Sequence, residues 1–154
     1  MNSIRTVASL ISALTILQLA MGLLGVHLPL AMAADHFIRT EIGLVGAAYS
    51  AGFMAGAWLG PAYLARIGHI RVFAAAGALA TALILALYWA HGLLPWMINR
   101  FATGAAVALL FAAAESWMNG AIGKAERGSV IGFYMVCTKA ALALGPFLIA
   151  GASP

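Results

Sequence analysis

Residues 7–34, VASLISALTILQLAMGLLGVHLPLAMAA, contain no Asp, Glu, Lys or Arg. A helix needs about 20 consecutive apolar residues to cross the hydrocarbon core of a bilayer, and this segment is long enough. Ala31-Met32-Ala33 resembles a signal-peptide cleavage site, but the apolar part of a signal peptide covers only about 7 to 15 residues. We therefore predict that this segment is an uncleaved membrane-spanning helix.

Comparable apolar stretches recur along the rest of the chain. Of its residues, 64% are hydrophobic and 8% are charged, whereas soluble domains carry about 25% charged residues. So few charges cannot cover a surface that faces water. Because lipid offers the backbone no hydrogen-bond partners, each span is expected to be a helix. The sequence predicts an all-α membrane protein with about five transmembrane helices, at residues 7–33, 42–64, 72–91, 94–117 and 129–151.

The charged residues between the spans predict the orientation. If the N-terminus is cytoplasmic, the opposite side holds only one basic residue, Arg39, between Asp35 and Glu41. The cytoplasmic side then holds Arg5, Arg66, Arg71, Lys124 and Arg127. Since cytoplasmic loops of membrane proteins are enriched in Lys and Arg, we predict a cytoplasmic N-terminus in the inner (plasma) membrane of a bacterium.

Several classes of function are disfavoured by what the chain contains. One cysteine, Cys137, cannot form a thiolate metal cluster or an internal disulfide. The basic residues form no stripe with interleaved aromatics, so nucleic acid is not an expected partner. No His-Glu-x-x-His or Gly-x-Ser-x-Gly arrangement is present. We expect neither a cofactor, a metal nor an enzymatic activity.

The second predicted span carries a glycine at every fourth position. Gly52, Gly56 and Gly60 therefore lie on one face of the helix. Small residues at this spacing let a neighbouring helix approach closely. Static helix packing is one interpretation of this seam, and helices that rock past one another during a transport cycle are the other.

The loop after this span resembles a motif of the major facilitator superfamily. Gly60 to Arg71 reads GPAYLARIGHIR, and the family pattern between the second and third helices is Gly-x-x-x-Asp-Arg-x-Gly-Arg-Arg/Lys. Arg66 and Gly68 match, Gly60 and Arg71 lie close to the expected glycine and basic pair, and Ala65 replaces the aspartate. The resemblance implies a cytoplasmic gate at this loop.

A second resemblance lies in the fourth span, where Arg100-Phe101-Ala102-Thr103-Gly104 is similar to the family's Arg-x-x-x-Gly signature. A charge inside the bilayer is costly and usually faces the bundle interior or an aqueous cavity. Arg100 is therefore a candidate for a cavity-facing role linked to substrate or protons. The alternative is a side chain that snorkels to the outer interface.

The resemblance extends over nearly the whole chain. Residues 68–74 and 115–119 are similar to the YcaD-like branch of the superfamily. This implies the N-terminal five helices of a twelve-helix transporter, with the sixth helix and the second half missing. In the family, an acidic residue at the inner end of helix four contacts the basic loop, so Glu115 is the candidate partner of Arg66 and Arg71. A solvated interfacial carboxylate is the alternative.

The fifth span contains two further features. Lys139 lies about halfway along it and is a second candidate for a cavity-lining or proton-linked role, with snorkelling as the alternative. Gly145-Pro146 resembles a shortened form of the antiporter glycine-proline motif. A proline at this position frees a backbone carbonyl and permits a bend. Together with Gly104, these two residues extend the set expected to pack helices closely.

The sequence thus predicts a secondary active transporter of a small solute, present as an incomplete N-terminal fragment. Its expected partners are the lipid bilayer, a small-molecule substrate, coupling protons and the missing C-terminal half. A five-helix membrane subunit that does not transport and needs a partner chain is the alternative. In such a transporter, cavity residues of both halves determine the substrate.

Overall fold

A computed structural model of the chain describes residues 2–123 and 126–150. Five helices follow one another: α1 (Asn2–Ala34), α2 (Arg39–Ile67), α3 (His69–Ala86), α4 (Leu93–Ala121) and α5 (Arg127–Ala150). All five are long and apolar enough to cross a membrane, and no strand occurs in the described ranges. The prediction of an all-α membrane protein with about five spanning helices is confirmed.

The ends of the helices follow from local hydrogen bonds. At the end of α1, Phe37 N–H donates to Met32 O and His36 N–H donates to Ala33 O. His36 has φ +65°, so this end is a Schellman-type cap with a histidine in the left-handed position. Helix α2 starts at Arg39, ahead of the predicted residue 42, because the Glu41 carboxylate accepts a hydrogen bond of 3.0 Å from the Ile38 amide.

The connections on either side of α3 are tight. Gly68 alone separates α2 from α3, and its φ of +90° is a conformation that residues with a Cβ rarely adopt. At its other end α3 tightens into a 3₁₀ turn, Leu87–Trp89. Gly92, with φ +87°, then precedes α4. The predicted third span, 72–91, corresponds to α3 together with this turn, which cover residues 69–89.

The chain divides into two compact units. The α1–α5 unit comprises the residues up to Phe37 and those from Met118 onward. The α2–α4 unit comprises Ile38–Trp117 and contains α2, α3, the 3₁₀ turn and most of α4. Each unit is described by itself below.

In the α1–α5 unit the two long helices pack along each other in the same direction. Gly22 of α1 lies against Leu142 of α5, and Gly145 of α5 lies against the backbone of Leu19 and Leu23. The buried side chains at this crossing are apolar or neutral. They include Leu14, Gln18, Met21, Thr138 and Ala141.

In the α2–α4 unit the register of the contacts gives the directions of the helices. Gly52 lies against Phe101 and Gly60 against Ala112, so α2 and α4 run parallel. Gly77 of α3 faces Leu110, whereas Asn99 bonds to Leu83, so α3 runs antiparallel to α4. Helix α4 is the most buried of the five candidate spans.

Candidate functional site

The α2–α4 crossing is built by glycines on both helices. A Cβ placed on Gly52 would overlap the backbone carbonyl of Phe101, and one on Gly56 would overlap that of Ala105. In return, a Cβ on Gly104 would overlap the carbonyl of Tyr49. Because glycine carries only a hydrogen where other residues carry a Cβ, the two backbones come close enough for Cα–H groups to contact carbonyl oxygens of the partner helix.

Gly60, the third glycine of the α2 repeat, has a different environment. A Cβ there would lie 3.4 Å from the Ala112 Cβ and 3.9 Å from Leu109 Cδ2, which are ordinary contacts with side chains. All three glycines of the repeat are buried. The backbone-to-backbone contact is therefore concentrated at Gly52, Gly56 and Gly104. At Gly60, side chains of α4 separate the two helices.

This close crossing brings Arg100 of α4 beneath a tyrosine of α2. The Arg100 Cζ lies 4.3 Å from the centroid of the Tyr49 ring, a cation–π stack. Tyr49 can reach this position because its own carbonyl packs directly on Gly104, one turn after Arg100 on α4. Phe53, one turn further along α2, has its ring centroid 6.4 Å from that of Tyr49.

Arg100 is buried without a hydrogen-bonding partner at two of its nitrogens. It is 8% exposed and is the one charged side chain that is buried in the described part of the chain. Its Nε and Nη1 are shielded from solvent and have no hydrogen-bond partner among the described residues. A guanidinium has five N–H donors in a planar fork, and the donors on Nε and Nη1 of Arg100 have no acceptor among the described residues.

Neighbouring polar residues fix the backbone that carries Arg100. Asn99 Nδ2 donates to the Leu83 carbonyl of α3 at 2.8 Å. The Thr103 hydroxyl, with no exposed surface, lies 2.8 Å from the Asn99 carbonyl and 3.3 Å from Asn99 Oδ1. The Asn99 bond joins α4 to α3 at the level of Arg100, and the Thr103 contacts lie within α4 beside it.

The candidate gate residues lie together at one end of the α2–α4 unit. Arg66 and Arg71 flank Gly68 at the junction of α2 and α3, and both side chains are exposed. Glu115, also exposed, follows Ala112, the residue that faces Gly60 near the end of α2. The ends of the parallel helices α2 and α4 therefore bring the acidic and basic residues to the same end of the unit.

The α1–α5 unit has a glycine crossing of its own. A Cβ on Gly22 would overlap the Leu142 carbonyl, and one on Gly145 would lie 2.5 Å from the Leu23 amide nitrogen. Pro146 has no N–H and so cannot donate to the carbonyl four residues earlier, which is that of Leu142. The glycine-proline pair thus turns an unused helix carbonyl toward Gly22. Lys139 is exposed, outside this crossing.

A groove of about 720 Å³ is lined by residues 7–16 of α1, residues 129–137 of α5 and residues 121–123 and 126, which precede α5. Its lining is mainly apolar, with Glu126 as its charged residue and the half-buried Cys137 at its end. No three His, Cys, Asp or Glu side chains in the described ranges are grouped so that they could hold a metal ion.

Sequence reasoning singled out Arg100 and the glycines but missed their partners. Tyr49, Asn99 and Gly22 carry no motif, and only the register of the packed helices reveals their contacts. Gln18, a buried amide on an apolar helix, was also missed. A lone amide in an apolar helix was visible in the sequence and could have marked this position as buried between helices.

Comparison with known families identifies the fold. The sequence profile described as Major Facilitator Superfamily matches residues 10–153. The chain belongs to the Major Facilitator Superfamily. This confirms the resemblance seen in the loop after α2 and at Arg100, and the chain is a multi-pass membrane protein of that family.

Two curated relatives carry names that describe a transporter. The chain is 29% identical over 149 residues to a protein of Escherichia fergusonii named "Uncharacterized MFS-type transporter YcaD". It is 28% identical over 149 residues to the protein of the same name from Escherichia coli O139:H28. In both cases the match covers 97% of this chain and 39% of the relative, so the chain spans about two-fifths of the length of these relatives. No solved structure matches the chain.

Proposed function

We propose that the chain is the N-terminal part of a proton-coupled secondary transporter for a small solute. The observation that carries this proposal is Arg100, a buried cation on a membrane-spanning helix with unused donors. Charges inside membrane segments mark substrate or ion pathways. The family is one of transporters, and the relatives are named as such.

In this proposal two six-helix halves rock about a central site and expose it alternately to either side. The cytoplasmic gate consists of Gly60, Arg66, Gly68, Arg71 and Glu115, with the N-terminus on the cytoplasmic side of a bacterial inner membrane. Arg100 and Lys139 are the candidates for residues linked to substrate or protons. Gly52, Gly56, Gly104, Gly145 and Pro146 form the close crossings that let each half move as packed helices. The protein performs no enzymatic reaction.

The alternative is a five-helix subunit that does not transport and needs a partner chain. It is favoured by the groove of the α1–α5 unit, which exposes apolar side chains such as Ile16 and Phe133. The transporter is preferred, because a subunit with only a structural role has no use for an unpaired buried guanidinium.

The coding DNA beyond Pro154 and a flux assay test the proposal together. We expect an open frame that encodes a sixth helix and a second half. The complete product, in liposomes containing a pH-sensitive dye, should move protons when one member of a panel of small solutes is added. Residues 1–154 alone should not. A stop codon directly after Pro154, or proton flux from residues 1–154 alone, would contradict the fragment proposal.

The gate is tested in the same liposomes. Glu115→Gln removes the acidic candidate of the gate, so we expect a membrane-impermeant maleimide to label a cysteine placed at Ala65, in a Cys137→Ser background, several-fold faster. Glu41→Gln is the matched control, because Glu41 lies at the other end of the α2–α4 unit. Equal labelling rates in the two variants would count against Glu115 as a gate residue.

A further inference from the structure

The surroundings of Arg100 contain no counter-charge from its own unit. Between Glu41 and Arg66, and between Arg71 and Glu115, Arg100 is the only Lys, Arg, Asp or Glu. At 1.5 Å per residue, Glu41 lies about 12 Å along α2 from Tyr49, and Glu115 lies about 22 Å along α4 from Arg100. Glu41 already accepts a hydrogen bond from the Ile38 amide. Neither carboxylate can pair with the guanidinium in this arrangement.

A buried charge without a partner is energetically unfavourable. Removing an ion from water costs several kcal/mol, and only a well-placed opposite charge or hydrogen bonds can offset this cost. Stacking on Tyr49 satisfies one face of the guanidinium plane but none of its N–H donors. The shielded Nε and Nη1 therefore call for an acceptor that the α2–α4 unit does not provide.

We propose that Arg100 and Tyr49 form a binding site for a carboxylate group, and that the transported solute is a small organic acid in its anionic form. A carboxylate matches the planar guanidinium fork and can accept two parallel N–H···O bonds. The inference rests on the proposed transport function and adds the chemical class of the substrate.

The charge at the site favours a carboxylate over a phosphate. Arg100 supplies a single positive charge, and the membrane-spanning parts of α2, α3 and α4 contain no second Lys or Arg. A phosphate group carries up to two negative charges near neutral pH, and sites that recognise it collect several basic or amide donors. One guanidinium neutralises one carboxylate and leaves no net charge in the hydrocarbon region.

Tyr49 is a positioning residue for this site. Its ring lies on the guanidinium face, so the cation is held in one plane while the edges that carry the N–H groups are free to bond. Gly104 and Gly52 permit the backbone contact that places this ring. Access to the shielded nitrogens requires the covering side chains to move, a motion that alternating access provides.

Thermal unfolding of the complete gene product in detergent tests the site with matched probes. Benzoate and benzamide share size and ring and differ in charge, and acetate and acetamide form a smaller pair. At constant ionic strength, we expect a carboxylate to raise the unfolding midpoint in a saturable way and its amide to have no effect. Arg100→Gln should raise the half-saturating concentration at least tenfold, whereas Arg39→Gln, an exposed control on α2, should leave it unchanged.

The tyrosine variants separate positioning from simple packing. Tyr49→Phe keeps the ring, so its half-saturating concentration should stay within threefold of the wild-type value. Tyr49→Leu removes the π face and should raise that concentration about tenfold. If both variants bind the carboxylate as the wild type does, Tyr49 has no positioning role.

Several results would overturn the carboxylate site. These are equal responses to carboxylates and amides, a response that Arg100→Gln retains, or no response to either carboxylate. If, in addition, Arg100→Gln lowers the unfolding midpoint of the protein without ligand, the guanidinium is paired with an acidic group of the protein and not with a carboxylate ligand. Carboxylate binding without uptake of labelled benzoate or acetate would keep the site and contradict transport. Proton flux driven only by uncharged solutes would keep transport and contradict the carboxylate.

Discussion

The two units use the same device and differ in what they bury beside it. In each, a pair of parallel helices meets through glycines whose missing side chains admit a carbonyl of the partner helix: Gly52 and Gly104 in the α2–α4 unit, Gly22 in the α1–α5 unit. The α2–α4 crossing buries a charge, Arg100, whereas the α1–α5 crossing buries the neutral Gln18 and Thr138 and leaves Lys139 exposed.

This difference distinguishes the residues that pack the helices from the residue that we assign to binding. The neutral crossing shows that two spans can be joined closely by glycines without any charge. The arginine at the other crossing is therefore not needed for packing. Its charge even makes burial of this part of α4 less favourable. A residue that costs stability and yet occupies the most buried helix is best explained by a ligand that it binds. The predictions below test this separation.

The largest expected effect is the loss of a glycine at either crossing. In Gly52→Ala and in Gly22→Ala the new Cβ would overlap a backbone carbonyl that cannot move without its helix. We expect each substitution to lower the free energy of unfolding by about 2–3 kcal/mol, measured by denaturation in detergent micelles.

Each of these substitutions has a matched control in the same helix. Gly60→Ala places its Cβ 3.4 Å from another Cβ, and Gly25 has no atom within 4 Å of that position. Alanine also favours helix over glycine. Both control variants should therefore stay within about 0.5 kcal/mol of the wild type or become slightly more stable. If Gly60→Ala were as damaging as Gly52→Ala, the α2–α4 crossing would not have the geometry described.

The fold could be predicted because it depends on short-range properties of the sequence. Runs of apolar residues define five spans, and Gly68 marks the turn between α2 and α3. The extension of α2 to Arg39 was missed because hydropathy excludes charged residues, whereas a helix continues through them when Glu41 can cap its first turn.

The candidate site was only partly predictable. Arg100 and Gly104 stand out through composition and spacing, because a charge and a glycine are unusual in an apolar helix. Tyr49 and Gly22 do not stand out, since tyrosine and glycine are common in spans and their roles depend on which residue of another helix lies opposite. Periodicity gives the face of a helix but not its register against a neighbour, so the stack on Arg100 could not be derived.

A smaller effect is expected from removing the charges. Arg100→Gln deletes an unpaired buried cation, and the loss of stacking on Tyr49 offsets only part of that gain. Without ligand we expect the variant to be more stable than the wild type by about 1 kcal/mol. Lys139→Gln should change the stability by less than about 0.5 kcal/mol, because that side chain is exposed.

Chemical denaturation of both variants in the same detergent measures this difference. The sign is the informative part. A stabilised Arg100→Gln variant agrees with an arginine kept for binding, while a destabilised one would mean that the guanidinium is paired in the protein and that the two crossings differ in packing after all.

The smallest effect compares two buried threonines that bond to their own helices. The Thr103 hydroxyl donates to the Asn99 carbonyl and lies 3.3 Å from Asn99 Oδ1, and the Thr138 hydroxyl lies 2.8 Å from the Tyr134 carbonyl. Each accepting carbonyl belongs to a helix and has a backbone donor as well. Thr138→Val should therefore leave the free energy of unfolding nearly unchanged. Thr103→Val should lower it by about 0.5–1 kcal/mol, because the Asn99 side-chain amide, which bonds to Leu83, loses the hydroxyl donor beside its Oδ1.

A double-mutant cycle shows whether Asn99 is the reason for this difference. In an Asn99→Ala background the bond to Leu83 is already lost, so Thr103→Val should cost no more than Thr138→Val does in the wild type. If the cost at 103 persisted without Asn99, the polar contacts beside Arg100 would act independently of one another.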